Sequence, residues 1–410
     1  MKLDRIKISE RLILAGGLIF AAGIMWTHIL GYMGLALGLL GICLNFRGKE
    51  VSSTVKLLII LILDFVLWGS ILVLTTSVRR DAGWATVFGY GSHWLLAFAL
   101  GFRQKERYRI GLIYIFAGSV ILVGLLSLGA YLGLYDNPNL AKWGMIWGFQ
   151  HHIAFGAILM IVFHLIYGFV LTPGVPFRKT VIFSLLGLLT IFLVLLTGSR
   201  SYWVAGGLSI TAATIYNAVV GRRRALSLAL AGVGILVIAL GIIIFPQVRY
   251  RINRVNTGET SINFRKNMAI MAFDIIKDHP ITGIGPGQVP FAKEYYDRMD
   301  SLNLPVDTGY LQKKHLHNIY LQIGAEFGVA GMMLLIAIII SMLTITAKAV
   351  SNAGDYSGIA LGLFWAVITI AIGENFDCLL RAPSVSMMIF WLVGLSAGTL
   401  KNDEGVKIQA

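Results

Sequence analysis

Long apolar runs separated by short polar stretches dominate this chain. A helix that crosses a bilayer needs about 20 mostly apolar residues. Twelve stretches approach that length, at 11–27, 29–45, 55–76, 84–101, 109–131, 150–171, 180–197, 202–220, 225–245, 317–346, 356–373 and 384–400. Residues 246–316 break the pattern. Over 262–277, Phe264, Met268, Met271 and Ile275 recur at helical spacing, Lys277 sits in the last turn and Pro280 stops the run. Pro290 opens a second such pattern, with Phe291, Tyr295 and Met299 on one face and Lys293, Glu294 and Asp297 elsewhere. The expectation is an all-α polytopic membrane protein in three parts: nine spans over 1–245, an outside segment with two amphipathic helices over 246–316, and three spans with a polar tail over 317–410. Amphipathic helices at a membrane surface form a platform or lid. The first apolar run continues past any cleavage site, so it is expected to stay as an uncleaved span.

Composition agrees with the pattern. Hydrophobic residues make up 57% of the 410 and charged residues 13%, half the share usual in soluble proteins. The net charge of +14 would suggest nucleic acid in a soluble chain. Here its distribution gives another cause. With the N-terminus inside, inside loops hold 19 Lys and Arg, short outside loops hold 5, and 246–316 holds the other 10. That asymmetry places both termini in the cytoplasm and 246–316 outside. The charge is mostly topology, and nucleic acid is not expected as a partner. Cys43 and Cys378 are too few for a disulfide framework and fall near opposite faces. No Cys/His cluster has metal-ligand spacing.

The polar residues that carry chemistry gather on the outside. In TGSRSYW, 197–203, Arg200 stands at the start of a span. A helix N-terminus with a guanidinium beside it suits a phosphate, although an arginine snorkelling to headgroups looks the same in sequence. Arg265 and Lys266 open the first amphipathic helix, where a cation opposes the dipole unless an anion compensates it. GIGPGQ, 283–288, follows an amphipathic helix rather than a strand and contains Pro286, so it reads as a tight turn and not a nucleotide loop. HLHNIYLQIGAEFGVAG, 315–331, opens the tenth span. His315 and His317, two residues apart, would point to opposite sides of a helix and could not share a metal. At a helix N-terminus the dipole disfavours imidazolium, and a neutral imidazole suits a general base. Glu374, Asp377 and Arg381 in GENFDCLLRAPS either complete a site with Arg200 and His317 or form an internal ion pair. Asp64, His164 and Glu326 lie within spans, where ionisable groups are costly, and sequence names no partner for them.

These residues resemble a known family. His317 and Asn318, nine residues, Gly328, two residues and Gly331 match the H-[NSQ]-x9-G-x-x-G pattern of the O-antigen ligase and polymerase superfamily. LTGSRS, 196–201, resembles the start of its ligase domain, and the long outside loop between the motifs matches too. The resemblance implies a fold similar to GT-C glycosyltransferases and transfer of a glycan from undecaprenyl pyrophosphate, at the periplasmic face of the bacterial inner membrane, without nucleotide or metal. The implied acceptor for a ligase is a sugar of lipid A–core, with membrane lipids around both substrates. The family's functional arginines fall on Arg200 and Arg265, and its histidine on His317. His315 competes with His317, and Asn318, Glu374 and Asp377 complete the expected substrate contacts. An O-antigen polymerase, a protein O-glycan ligase and, from another class, a transporter or flippase remain as alternatives. Asp64, His164 and Glu326 are what keep the transporter reading open.

Overall fold

The computed structural model describes residues 2–45, 51–220, 223–253, 260–302, 304, 315–352 and 356–400. A helix stands at each of the twelve apolar stretches. They are α1 Lys2–Gly23, α2 His28–Leu44, α3 Ser53–Thr75, α4 Arg80–Phe102, α5 Glu106–Tyr131, α6 His152–Val170, α7 Phe177–Leu196, α8 Arg200–Val220 and α9 Arg224–Ile244, then α13 Ile319–Asn352, α14 Ser357–Gly373 and α15 Pro383–Ala397. Seven of them (α3, α5 to α9 and α13) are long and apolar enough to cross a membrane, and α2, α14 and α15 are apolar but 15–17 residues long. Between α9 and α13 lie α10 Pro246–Asn253, α11 Thr260–Asp278 and α12 Lys293–Ser301. The chain is an all-α polytopic membrane protein.

Apolar character on all sides of a helix means burial in protein or in lipid, and the two cases separate here. Helix α6 has 89% of its apolar stretch buried inside the protein, whereas α9 has 11% and lies at the rim. Around α6 pack α7 and α14, while α15 packs against α4, and α13 against α3 and α14. Helices α6 and α14 approach closely because a Cβ on Gly362 would sit 2.2 Å from the His164 carbonyl oxygen, the small-residue contact usual between membrane helices. That approach lets Thr369 Oγ1 reach His164 Nε2 at 2.8 Å and Ser209 Oγ at 2.7 Å. His164 thus ties α6, α8 and α14 together. Asp64 lies on the exposed side of α3.

Several expectations change. Helix α13 begins at Ile319 rather than at 317, because His317 adopts a left-handed backbone with φ 54° and Asn318 caps the helix through Oδ1, which accepts the Leu321 N–H at 3.0 Å. Helix α11 begins two residues earlier than the periodicity predicts, so Arg265 stands in its second turn, where the dipole no longer opposes a cation. Met268, Met271, Ile275, Tyr295 and Met299 are buried together as expected, but Phe291 is 45% exposed beneath the Arg79 guanidinium. Pro290 holds it in a short 3-10 turn, Val289–Phe291, and Val289 takes the buried place. A two-stranded hairpin, β1 Ala141–Lys142 with β2 Met145–Ile146, precedes α6 and was not expected. The stretches 254–259 and 305–314 and the tail from 401 lie outside the described residues.

Candidate active site

The GIGPGQ turn fixes the outer half of α13. Helix α13 breaks at Gly328 (φ 70°, ψ −178°), and a break strands the carbonyls before it. Ile284 N–H donates to the Ala325 carbonyl at 2.9 Å, Gly285 N–H to Glu326 at 3.1 Å, and Trp68 Nε1 to Phe327 at 2.9 Å. In return Val329 N–H donates to Pro280. The turn is therefore keyed into a membrane helix. On its other side Gln288 bonds both the N–H and the carbonyl of Arg79, before α4.

Glu326 joins this turn to the histidines. The N–H groups of Gly287 and Val289 face its carboxyl, and Gln322 Nε2 donates to its Oε1 at 2.8 Å. Gln322 Oε1 in turn accepts the N–H of Leu316, between the two histidines, at 2.8 Å. Glu326 is thus a fully buried anchor with partners on three elements, not a lone intramembrane charge. His164 Nε2 likewise bonds Ser209 and Thr369, so two of the three residues behind the transporter reading have partners that sequence did not name.

Behind this anchor a cavity of about 550 Å³ opens. Its wall brings together Arg200, Arg265, His315, His317 and Asp377, five of the seven residues expected from sequence. It adds Arg251, Arg381, His151 and His152. Gly198, in the left-handed region (φ 63°), turns the chain from α7 into α8 and places Arg200 at the first helical position. His152 Nδ1 donates to the Thr197 carbonyl at 3.0 Å and braces that turn. Burial acts most strongly on Arg381 and against its charge, but the fields of Glu326, Tyr90 and Cys378 together hold it above the ordinary guanidinium value. Asn318 and Glu374 are not in the wall. Asn318 is spent as the α13 cap and donates to the Asn375 carbonyl. Glu374 is fully buried, accepts the Leu380 N–H at 3.0 Å, and is pushed well above the usual carboxylate range by burial and then by Asp377.

The histidines do not diverge as a helix would require. The left-handed residue turns both toward one carboxylate: His315 Nε2 is 3.5 Å and His317 Nδ1 3.7 Å from Asp377 Oδ1, and the rings meet edge to face at 4.7 Å. Burial acts to raise Asp377, but the facing His317 N–H and the fields of both histidines hold its carboxyl down at about 2. His315 Nδ1 accepts the backbone N–H of His317 at 3.3 Å, so its proton belongs on Nε2, toward Asp377. In His317, Nδ1 is the ring nitrogen that faces the carboxylate. His315, His317 and Asp377 also present one donor atom each within 4.8 Å of one another, a grouping able to hold a metal, contrary to the helix-based expectation.

His151, His152 and Arg251 were missed as site residues, and Arg381 was weighed with Glu374 and Asp377 but given no role. QHH at 150–152 and LLRAP at 379–383 offered the signal of polar residues at outside span ends, while Arg251 had only its place in the outside segment. No curated protein matches the chain. Residues 185–336, which hold Arg200, Arg251, Arg265, both histidines and the Gly328 break, match the model of the O-antigen ligase family. Asp377 and Arg381 lie beyond the matched segment, on the turn that closes the cavity. Over the matched segment the chain is similar to the O-antigen ligase family, and the match supports ligase- or polymerase-type activity on lipid-linked glycans in general.

Proposed function

We propose that the chain is an O-antigen ligase of the bacterial inner membrane, with both termini cytoplasmic and the cavity periplasmic. It transfers a glycan from undecaprenyl pyrophosphate to a sugar hydroxyl of lipid A–core. The observation that carries this reading is one cavity whose wall holds four arginines together with a His–Asp pair. Arg200 and Arg265 grip the pyrophosphate, with Arg251 and Arg381 adding positive field. Their guanidinium forks match phosphate oxygens and stabilise charge as it develops on the leaving group. Asp377 holds the His317 ring with Nδ1–H toward itself. Nε2 then takes the proton of the acceptor hydroxyl as that oxygen bonds the anomeric carbon. The anomeric C–O bond to pyrophosphate breaks, its electron pair leaves with undecaprenyl pyrophosphate, and the imidazolium returns its proton to water. No step calls for a nucleotide or a metal ion.

Purified protein with a lipid-linked glycan tests this directly. Glycan should appear on lipid A–core when that acceptor is supplied, and chains should not lengthen on the polyprenyl carrier. Lengthening on the carrier without lipid A–core product would make the chain a polymerase. Movement of donor across a bilayer without any transfer would make it a flippase.

A further inference from the structure

Beside the arginine cavity lies a second, smaller groove of about 200 Å³ that the transfer reaction leaves unused. The β1–β2 hairpin, α10 and the end of α7 form it, and Gly198 and Arg251 belong to the walls of both. Two glycines let the elements pack closely, with the Met145 and Gln247 side chains against their backbone. A Cβ on Gly198 would lie 2.8 Å from Met145 Sδ, and one on Gly144 would lie 2.8 Å from the Gln247 side chain. The groove and the cavity therefore adjoin along Gly198 and Arg251.

Its lining has the makeup of a sugar site. Tyr131, Trp143 and Tyr250 supply aromatic surface, and Gln247 and Arg251 supply donors and an acceptor. The indole of Trp143 is 70% exposed and the Tyr250 ring 52%. Trp143 and Gly144 are the two residues between paired Lys142 and Met145, with φ of 54° and 69°. A two-residue hairpin turn with both φ positive selects Asn, Asp or Gly at its first position. A tryptophan there accepts a disfavoured backbone and puts a large apolar ring in the open. Lys142 Nζ stands 4.5 Å from the ring centroid and steadies it.

We infer that this groove is a saccharide subsite. Resting on the transfer reading above, it holds the donor-glycan sugars that follow the one reacting in the arginine cavity. The apolar C–H faces of pyranose rings lie on Trp143 and Tyr250, and their hydroxyls bond Gln247 and Arg251. An aromatic ring at a membrane surface also serves as an interfacial anchor, and the test separates the two roles.

The variant of choice is Trp143→Asn, since asparagine suits the turn and removes only the ring; Trp143→Phe is the conservative partner. Two donors are compared on the purified full-length protein, one carrying a single sugar on polyprenyl pyrophosphate and one carrying several repeat units. Trp143→Asn should raise KM for the long donor by roughly tenfold, as the loss of one good contact would, with kcat and the single-sugar KM unchanged. Trp143→Phe should restore most of the loss. Free repeat-unit oligosaccharide should perturb tryptophan fluorescence in the unaltered protein and not in Trp143→Asn. Equal KM increases for both donors would make Trp143 an interfacial anchor and overturn the subsite, as would unchanged kinetics. If the unaltered protein transfers neither donor, the transfer reading fails by itself, and loss or persistence of oligosaccharide binding in Trp143→Asn still decides the subsite.

Discussion

Replacing Gly328 with alanine attacks the point where the outside segment is keyed into α13. The new methyl would need φ 70° with ψ −178°, a region held almost wholly by glycine, at about 1–3 kcal/mol. It would also lie 1.9 Å from the Ile281 carbonyl oxygen, so the turn must move away. Movement releases the bonds from Ile284, Gly285 and Val329, each worth about 1 kcal/mol. The total, about 4 kcal/mol at the least, corresponds to about a thousandfold loss in the docked arrangement. Because Glu326 and Gln322 hold Leu316 through the same turn, His317 loses its register and transfer should fall with docking. Trypsin cleavage at Lys277, Lys293 and Arg298 in detergent-solubilised protein reports the docking, beside the transfer rate. Gly111→Ala is the control, since a Cβ there meets nothing within 4 Å and alanine favours a helix. A Gly328→Ala protein as protease-resistant and active as Gly111→Ala would refute the reasoning.

Three further outcomes are expected. Arg200→Lys and Arg265→Lys should each reduce transfer about 10–100-fold, because a point charge replaces a bidentate fork; full activity in both would remove the clamp. Asp377, at about 2 against an ordinary value of about 3.9, contributes native stability that is complete above about 3.9 and lost as pH falls through about 2. It is therefore ionised throughout the working range and able to orient the His317 ring; Asp377→Asn should lower transfer about 10–100-fold, as loss of a hydrogen bond to a charged group would, and unchanged transfer would separate Asp377 from the base. Chelator should leave transfer intact, whereas loss restored by a divalent ion would assign His315, His317 and Asp377 to a metal.

The helices are legible in sequence because a bilayer demands long, uninterrupted apolar runs, and the outside segment because Met268, Met271 and Ile275 recur at helical spacing. Arg200 and His317 are legible as family positions at span ends, and Arg265 as one near the start of the first outside helix. The direction of the histidines is not, because it depends on one left-handed residue, and an ideal helix would send them apart. Glu326 looks like an isolated intramembrane charge until a turn about 40 residues earlier closes over it, counted from Gly287. Arg251 and Arg381 stand 130 positions apart in sequence and meet only through the folded cavity. Trp143 gives no signal at all, since a tryptophan contradicts the turn it occupies.

The central claim is that His317, oriented by Asp377, takes the proton of the acceptor hydroxyl, while His315 only braces it. The most direct measurement is single-turnover transfer of a labelled glycan from saturating polyprenyl-pyrophosphate donor to lipid A–core by His317→Ala and His315→Ala proteins, with donor binding followed in parallel. Removal of a general base costs about 10²–10⁴-fold. His317→Ala should lose transfer in that range and keep donor binding, and His315→Ala should lose much less. Near-normal transfer by His317→Ala, with His315→Ala inactive, would contradict the assignment.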